Sequence, residues 1–315
     1  MNPRLLQILR CPACGGSLTT DGEALRSTCG RTYPVRNGIP RFVPPENYAS
    51  SFGLQWNRFR RTQLDSHSGV TISGDRFRRE TGWTRADLEG KLVLDAGCGA
   101  GRFAEIALGL GAEVVAIDYS SAVEACLANN GPNERLDVLQ ADIYALPFAP
   151  NTFDYVYSLG VLQHTPDVKR AFDSLVPLVK PSGRITVDLY RQHWGNFIRP
   201  KYWLRPITKR MNAKTLFSLV ERLAPKLLKV SAAVRRVPVI GRYLGFFVPV
   251  ADYRGQLPLN EQQLTEWAVL DTFDWLAPRY DQPQTAKTLR RWLEGAGLKE
   301  IEVLHADHLT GRGRR

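Results

Sequence analysis

Cysteine is scarce in this chain, and so are long runs of apolar residues. Five cysteines in 315 residues do not suggest a disulfide scaffold, so a reducing cytoplasm is the simplest setting. No apolar run reaches the ~18 residues that a membrane-spanning helix needs. Arg4 and Arg10 bracket a short amphipathic segment, which therefore lacks the apolar core of a secretory signal. These absences predict a globular protein without a membrane span.

The basic charge of the chain is concentrated in one segment. The net charge is +11. Residues 191–243 contain thirteen Lys or Arg residues and one acid, Glu221, so this segment carries +12 and the rest of the chain is near −1. The basicity therefore belongs to an insert and not to the fold as a whole.

The most informative stretch is a glycine-rich loop that follows an apolar run. Asp95 ends the run 92–94, and the loop continues as acid-x-Gly-x-Gly-x-Gly. Glycine has no Cβ atom, so its backbone can approach a ligand closely. Two further apolar runs also end at acids, Asp118 and Asp142. Three acids at strand ends predict a ligand site at one edge of a parallel sheet.

The pattern differs from the dinucleotide fingerprint at its third glycine. That fingerprint is G-x-G-x-x-G, and here the third position is Arg102. The loop instead resembles motif I of the class I S-adenosylmethionine-dependent methyltransferases, and the resemblance covers about residues 88–190 well. A dinucleotide site, or a tight turn without a ligand, remains the alternative.

The resemblance implies a role for each acid. The Asp95 position lies near the methionine end of the cofactor, Asp118 takes the two ribose hydroxyls, and Asp142 with Ile143 holds the adenine edge. The cofactor-binding candidates are Asp95, Gly97, Cys98, Gly99, Gly101, Arg102, Asp118, Tyr119, Asp142, Ile143 and Leu159.

Alternating strands and helices predict an α/β fold. Five strands are expected near residues 91–95, 113–117, 136–140, 153–158 and 184–190. Such alternation indicates a Rossmann-like, doubly wound, mostly parallel sheet with helices on both faces. A helix near 284–296 precedes an alternating run, and the resemblance implies an antiparallel C-terminal hairpin over 298–313.

The N-terminal residues resemble the short zinc-ribbon-like modules found ahead of some methyltransferases. Cys11 and Cys14 have metal-ligand spacing, and Cys29 follows, but structural zinc normally takes four ligands. A fourth ligand would be expected as a cysteine near residue 26 or 27 or as a histidine at residue 33, and these residues are Arg26, Ser27 and Tyr33. Bound zinc and a metal-free hairpin therefore both remain open.

The chain divides into five predicted segments. The second segment is either a lid over the cofactor or a helical layer on the sheet edge. The segments are a zinc-ribbon-like module (1–45), a lid or linker (46–90), the cofactor-binding core (91–190), a basic helical insert (191–260) and the C-terminal part of the methyltransferase domain (261–315).

Within the insert, apolar residues recur at helical spacing from Leu216 to Val234, with Lys and Arg on the other side. Pro225 is expected to kink this helix or to start a second one. A basic amphipathic helix can lie on an anionic membrane surface, which predicts peripheral contact through 191–243. A cap packed on the core with a solvated basic face and a nucleic-acid contact are the alternatives, nucleic acid being the less favoured.

Candidate catalytic residues follow the fourth and fifth strands. A general base is needed only if the methyl acceptor is protonated at neutral pH. His164 can be that base, although it can also simply pack the loop. Further residues that can face the acceptor are Tyr190 and His193, with Asp274, Trp275 and Tyr280 from a later aromatic and acidic segment.

The predicted class of methyl acceptor rests on the absence of a sequence motif. Many amino-methylating nucleic-acid enzymes carry Asn/Asp-Pro-Pro-Tyr/Phe, whereas residues 158–161 read Ser-Leu-Gly-Val. This favours a small-molecule, saccharide or lipid-linked acceptor. Ribosomal or transfer RNA is the second candidate, and a non-catalytic binding protein that kept the cofactor fold is the third.

Overall fold

The computed structural model describes residues 2–44, 47–192 and 198–315. Its N-terminal part is a short helix followed by a four-stranded antiparallel sheet in which the strands are ordered along the chain. These elements are α1 (Pro3–Ile8), β1 (Leu18–Asp21), β2 (Ala24–Ser27), β3 (Thr32–Arg36) and β4 (Ile39–Pro40).

This N-terminal module shares its hydrophobic core with the rest of the protein. Leu5, Leu9 and Leu25 lie in one buried cluster with Leu139 and Phe148. In the structure the predicted module of residues 1–45 therefore packs on the main domain, and its bounds stay a prediction. A unit of about 40 residues buries too little apolar surface to be stable alone without a metal or disulfides, and packing on a larger domain supplies that burial.

The main sheet has seven strands. Five are parallel, and the last two form an antiparallel hairpin at one edge, so the predicted Rossmann-like fold is confirmed. The order is β10-β11-β9-β8-β5-β6-β7. The strands are β5 (Leu92–Ala96), β6 (Glu113–Asp118), β7 (Leu136–Gln140), β8 (Phe153–Ser158), β9 (Val179–Leu189), β10 (Lys299–His305) and β11 (Leu309–Arg314).

Helices cover both faces of this sheet because its strands are apolar on both sides. Val93 and Val114 belong to one buried cluster, whereas the next residues along the chain, Leu94 and Val115, belong to the other. The helices that follow the strands are α6 (Arg102–Gly109), α7 (Val123–Asn130), α8 (Val168–Leu175) and α13 (Ala286–Gly295).

Residues 47–90 form four helices between the module and the sheet. The helix α4 packs on the sheet side, where Phe77 is fully buried and contacts the Phe103 ring at 6.3 Å between centroids. The four helices are α2 (Ser50–Arg58), α3 (Asp65–Ser68), α4 (Ile72–Thr81) and α5 (Arg85–Leu88).

Four further helices form what we call the helical cap: α9 (Pro200–Thr208), α10 (Ala213–Arg235), α11 (Gly241–Gly245) and α12 (Glu261–Leu276). Phe217 of α10 contacts Phe273 of α12, and both belong to one buried cluster. The helix α12 thus packs with the insert helices although it follows the predicted boundary at residues 260 and 261, and that boundary stays a prediction. The helix α10 also continues through Pro225, so no second helix starts there.

The apolar residues predicted to form one stripe on α10 are partly buried in the cap and partly exposed to solvent. Leu216, Val220 and Leu228 are buried in the cap, whereas Leu223 and Val230 are exposed. The apolar face of α10 is therefore wider than the surface that this helix buries against α12, and its outer apolar residues stay exposed. Among the described residues, no helix is both long and apolar enough to cross a bilayer.

Candidate active site

The glycine loop after β5 forms part of the wall of a cavity of about 940 Å³. The N–H groups of Gly97 and Cys98 both donate to the Ile117 carbonyl at 2.8 Å. A Cβ atom on Gly97 would lie 2.4 Å from the Val161 side chain, so a larger residue does not fit. Gly97, Cys98 and Gly99 all line the cavity.

Asp118 fixes this loop from the end of β6. Its Oδ2 accepts the Gly99 N–H at 3.0 Å, and its Oδ1 accepts the Ser120 N–H and hydroxyl at 2.8 and 2.7 Å. Burial raises the pKa of Asp118, and these hydrogen bonds oppose that effect. A carboxylate offers about four lone-pair sites, so one position on Oδ2 remains for a ligand hydroxyl. Tyr119 lines the same cavity.

Of the two residues predicted to hold the adenine edge of the cofactor, one lines the cavity and the other does not. Ile143 and Leu159 line it. Asp142 does not, and its Oδ1 accepts the Tyr144 N–H at 2.9 Å. The side chain of Asp142 therefore shapes the turn after β7, and its role toward a ligand stays a prediction.

Three other cofactor candidates differ in their placement. Arg102 lines the cavity. Gly101 instead faces α7, where an added Cβ atom would lie 2.8 Å from the Cys126 sulfur. Asp95 is 2 % exposed, and burial raises its pKa to about 8 against the opposing effect of Tyr157. Its Oδ2 is a buried oxygen without a hydrogen-bond partner in the part of the chain that the structure describes.

Helix α2 covers the glycine loop. The Trp56 ring lies 3.3 Å from the position that a Cβ atom on Gly99 would take, and Phe52 lines the cavity beside it. Ile72 and Arg76 of α4 line the same cavity. The helix α2 thus lies over the loop and α4 packs on the sheet side, and a lid role of this segment toward a cofactor stays a prediction.

His164 reaches the cavity from the turn after β8. Its Nδ1 lies 3.0 Å from the Tyr280 carbonyl oxygen, which can only accept a hydrogen bond. Nδ1 therefore carries the proton, and Nε2 of the neutral ring keeps its lone pair. The rings of Phe52 and Tyr190 each lie 5.3 Å from the imidazole and hold its orientation. This is the arrangement that a general base needs.

Tyr190 follows β9 and lies in the same cavity. Its hydroxyl donates to Asp274 Oδ2 at 3.5 Å, and Lys201 Nζ lies 5.0 Å from its ring centre. Burial, followed by nearby acids, raises the pKa of Tyr190 well above its usual range, so the phenol stays a donor. Trp275 also lines the cavity. His193 lies outside the described residues.

Sequence reasoning missed a buried ionic network at one end of the cavity. Arg76 donates to Glu80 Oε1 at 2.8 Å and to Asp188 Oδ2 at 2.5 Å. Asp188 also accepts the Gly160 N–H, and His308 Nδ1 lies 3.5 Å from Glu80. Burial, followed by the Glu80 charge, raises the pKa of Asp188 to about 6. An acid between two apolar residues near the end of a strand was the available signal for Asp188.

Asp271 of α12, the first residue of the predicted aromatic and acidic segment, also lines the cavity. Its Oδ2 accepts from the Tyr253 hydroxyl at 2.5 Å and from Trp267 Nε1 at 3.1 Å. Burial raises the pKa of Asp271 to about 6. The spacing of four residues from Trp267 places both on one helix face, and this spacing was readable in the sequence.

The three cysteines of the N-terminal module come together. Cys11 Sγ lies 3.8 Å from Cys29 Sγ, and Cys14 Sγ lies 3.4 Å from the Ser27 hydroxyl. Burial opposes ionisation of Cys11, but hydrogen bonds from Ser27 and Tyr33 outweigh it and lower the pKa of that thiol to about 6. Three thiols fit part of a tetrahedral zinc site, and a serine hydroxyl stands where the fourth ligand would be.

Two segments of the chain match known family models. Residues 94–187 match a model described as a methyltransferase domain, and residues 2–38 match a model described as Trm112p-like protein. Residues 94–187 are thus an S-adenosylmethionine-dependent methyltransferase domain, with S-adenosylmethionine as its cofactor. The N-terminal module is Trm112p-like, and its zinc binding stays a prediction.

Individual proteins are similar over parts of the chain. A ubiquinone biosynthesis O-methyltransferase of Thiobacillus denitrificans is 38% identical over 104 residues, which are 32% of this chain and 44% of that protein. Phosphoethanolamine N-methyltransferase 2 of Haemonchus contortus, solved with S-adenosyl-L-methionine, is 16% identical at a TM-score of 0.46, covering 87% of this chain and 48% of that one. The chain spans about half the length of the curated relatives it matches.

The residues present fit this cofactor. Val161 packs on Gly97 and Trp56 packs on Gly99, so these glycines let the loop lie close to the cavity wall, and Asp118 keeps one acceptor position. The unpartnered Oδ2 of Asp95 lies buried under the loop. A cationic group bound above would favour the ionised form of this acid, and S-adenosylmethionine carries such groups at its methionine end.

We expect Asp118→Ala to weaken S-adenosylmethionine binding by about 1.5–3 kcal/mol, the scale of a hydrogen bond to a charged group. Asp118→Asn keeps one acceptor oxygen and should lose less. Calorimetry measures both, and thermal unfolding in the absence of ligand checks that each variant folds. Unchanged affinity in Asp118→Ala, or tight NAD binding by the wild type, would contradict this assignment.

For the cysteine cluster we expect less than one tightly held zinc per chain. Ser27→Cys should raise this to a full equivalent, because it supplies a fourth thiolate at the open corner. Thr28→Cys, one residue further along, is the matched control and should not. Elemental analysis of protein purified without added metal gives the answer, and a full equivalent in the wild type would show that another ligand completes the site.

Proposed function

We propose that this protein transfers the methyl group of S-adenosylmethionine to a small-molecule, saccharide or lipid-linked acceptor. One observation carries the proposal. A single cavity of about 940 Å³ is lined by the glycine loop on one side and by His164, Tyr190 and Asp274 on the other. The methyl donor and its acceptor can therefore share one cavity, as an in-line displacement requires.

His164 is the residue that we propose as general base. When bound, S-adenosylmethionine supplies an electrophilic methyl group. Nε2 of His164 takes the proton from the acceptor hydroxyl or amine as its oxygen or nitrogen bonds to the methyl carbon. The Tyr280 carbonyl holds the ring through Nδ1 and stabilises the imidazolium that forms, because it continues to accept from that nitrogen.

The opposite wall of the cavity is polar and aromatic. Tyr190 presents a phenol donor, and Asp274 and Asp271 present carboxylates among the rings of Tyr253 and Trp275. Such a wall can orient a polar head group by a few directed hydrogen bonds while its aromatic surface excludes water. This supports an acceptor with an apolar body and a polar reactive end.

The acceptor class can be identified from the lysate fraction that receives a radioactive label from the cofactor. Protein incubated with tritium-labelled S-adenosylmethionine and a fractionated lysate should transfer label to the lipid or small-molecule fraction. Label in RNA would overturn the proposed acceptor class and support the second candidate. Cofactor binding without transfer to any fraction would support a non-catalytic binding protein.

We expect His164→Gln to slow methyl transfer by about 10²–10⁴-fold, the usual contribution of a general base, with unchanged affinity for S-adenosylmethionine. His67→Gln is the matched control, since His67 is exposed on α3 and does not line the cavity. Rates of label transfer and calorimetric affinities separate the two effects. A His164→Gln protein with the wild-type rate would show that the imidazole only packs the loop.

The helical cap also supports peripheral contact with an anionic membrane. The exposed large hydrophobic side chains of the described residues all lie between Ile198 and Phe247. Trp203 is 57% exposed and Val239 87% exposed. We call this surface of α9, α10 and α11, with its flanking Lys and Arg residues, the apolar-basic surface. Apolar side chains beside cations match the interface of an anionic bilayer better than an RNA backbone.

We expect the protein to sediment with vesicles of equimolar phosphatidylglycerol and phosphatidylcholine. Replacing Lys226, Lys229 and Arg236 by Glu should weaken this binding roughly 100-fold or more, since each cation near the surface contributes about 1 kcal/mol. All three are exposed and without an ion pair in the described structure.

The matched control replaces Lys91, Lys287 and Lys299 by Glu, the same change in net charge away from the cap. This variant should bind vesicles nearly as the wild type does. Equal losses in the two triple variants would mean that only net charge matters, and no binding by the wild type at low salt would refute the membrane contact.

A further inference from the structure

A second, smaller cavity of about 220 Å³ adjoins the main cavity. Five residues line both spaces, so they form the junction between them. These residues are Arg199, Lys201, Tyr253, Gln256 and Trp275. The acceptor side of the main cavity therefore continues into the helical cap.

The second cavity, which we call the outer cavity, is lined outside the junction mostly by apolar residues, apart from the Arg235–Asp252 ion pair and Thr272. Val248, Val250 and Leu276 line it, together with Phe246. Phe246 is also 43% exposed, among the aromatic side chains of the apolar-basic surface. The outer cavity thus lies between the main cavity and the surface that we assign to the membrane.

The junction carries excess positive charge. Arg199 is exposed and has no acidic partner among the residues that the structure describes. Lys201 lies 3.2 Å from Asp281, which Arg205 also approaches at 3.7 Å, so two cations share one acid.

The acid that lines the outer cavity is likewise neutralised. Asp252 pairs with Arg254 at 2.6 Å and lies 3.8 Å from Arg235, which lines the outer cavity as well. Asp274 and Asp271 of the main cavity also act on Lys201 and Tyr253, so Arg199 is the junction cation that has no acidic partner among the described residues.

We propose that the outer cavity binds the first part of an aliphatic chain whose anionic group, a phosphate, lies at Arg199 and Lys201. The acceptor would then be an amphiphile drawn from the membrane, with its reactive head in the main cavity at His164. This inference rests on the proposed methyl transfer and specifies its substrate class. A guanidinium suits phosphate because it donates in a planar fork.

The probes are alkyl phosphates with six to twelve carbons, used below their micelle concentrations, so that no membrane surface is present. Calorimetry should show one site per chain. Each added methylene should tighten binding about four-fold while it is buried, and this gain should level off where the chain emerges at Phe246. Inorganic phosphate should bind far more weakly, and octyl glucoside, which has no charge, should not compete.

Two variants test the two parts of the site. Arg199→Glu should weaken octyl phosphate binding at least ten-fold, whereas Arg222→Glu, the same change elsewhere on the cap, should not. Val248→Trp should fill the outer cavity and remove the dependence on chain length. Both variants should bind S-adenosylmethionine as the wild type does.

The outcomes separate this inference from the proposed function. Affinity that is equal for inorganic and octyl phosphate would overturn the chain site. Chain-length dependence that survives in Val248→Trp would also overturn it, as would an unchanged affinity in Arg199→Glu. In each case, intact S-adenosylmethionine binding and methyl transfer would leave the proposed function standing, whereas loss of cofactor binding in the wild type would refute that function instead.

Discussion

The guanidinium of Arg76 lies between two carboxylates, Glu80 and Asp188, that expose no side-chain surface. Removing one partner of such a buried group typically costs about 3–5 kcal/mol, because the remaining charges lose their compensation. Arg76 and Glu80 belong to α4, whereas Asp188 lies on β9 and accepts the Gly160 N–H. One set of contacts therefore joins the helices beside the cavity, the sheet and the loop next to Gly97. The shape of the cavity depends on this network.

Local patterns were enough to predict the strands and the glycine loop. Alternation and acids at strand ends act over a few residues, and the close approach of Gly97 to Val161 explains why a glycine is required there. The ionic network was not predictable in the same way, because Asp188 lies 112 residues from Arg76 along the chain. The contact between Asp188 and Arg76 results from the sheet topology, and no spacing along the chain predicts it.

The N-terminal module is a second case in which a local pattern did not predict a contact between distant parts of the chain. The cysteine spacing indicated a metal-site geometry, and the structure brings Cys11, Cys14 and Cys29 together. The pattern said nothing about what lies outside the module. Leu5 and Leu9 are apolar residues that could have closed a small core of their own, and they pack instead on Phe148 of the main domain. Whether a small module packs alone or on a neighbour depends on the apolar surface of the neighbouring domain. The sequence of the module itself does not contain that information.

Helix α10 must satisfy two requirements with one sequence. Its inner face, with Leu216 and Val220, packs on α12 and supports the acceptor wall, so it needs close contact. Its outer face exposes Leu223 and Val230 beside the exposed cations Lys226 and Lys229, as the proposed membrane contact requires. Period and charge alone indicated an amphipathic helix but not which apolar residues are buried, because both faces carry Leu and Val. The division between cap and outer surface follows only from the position of α12.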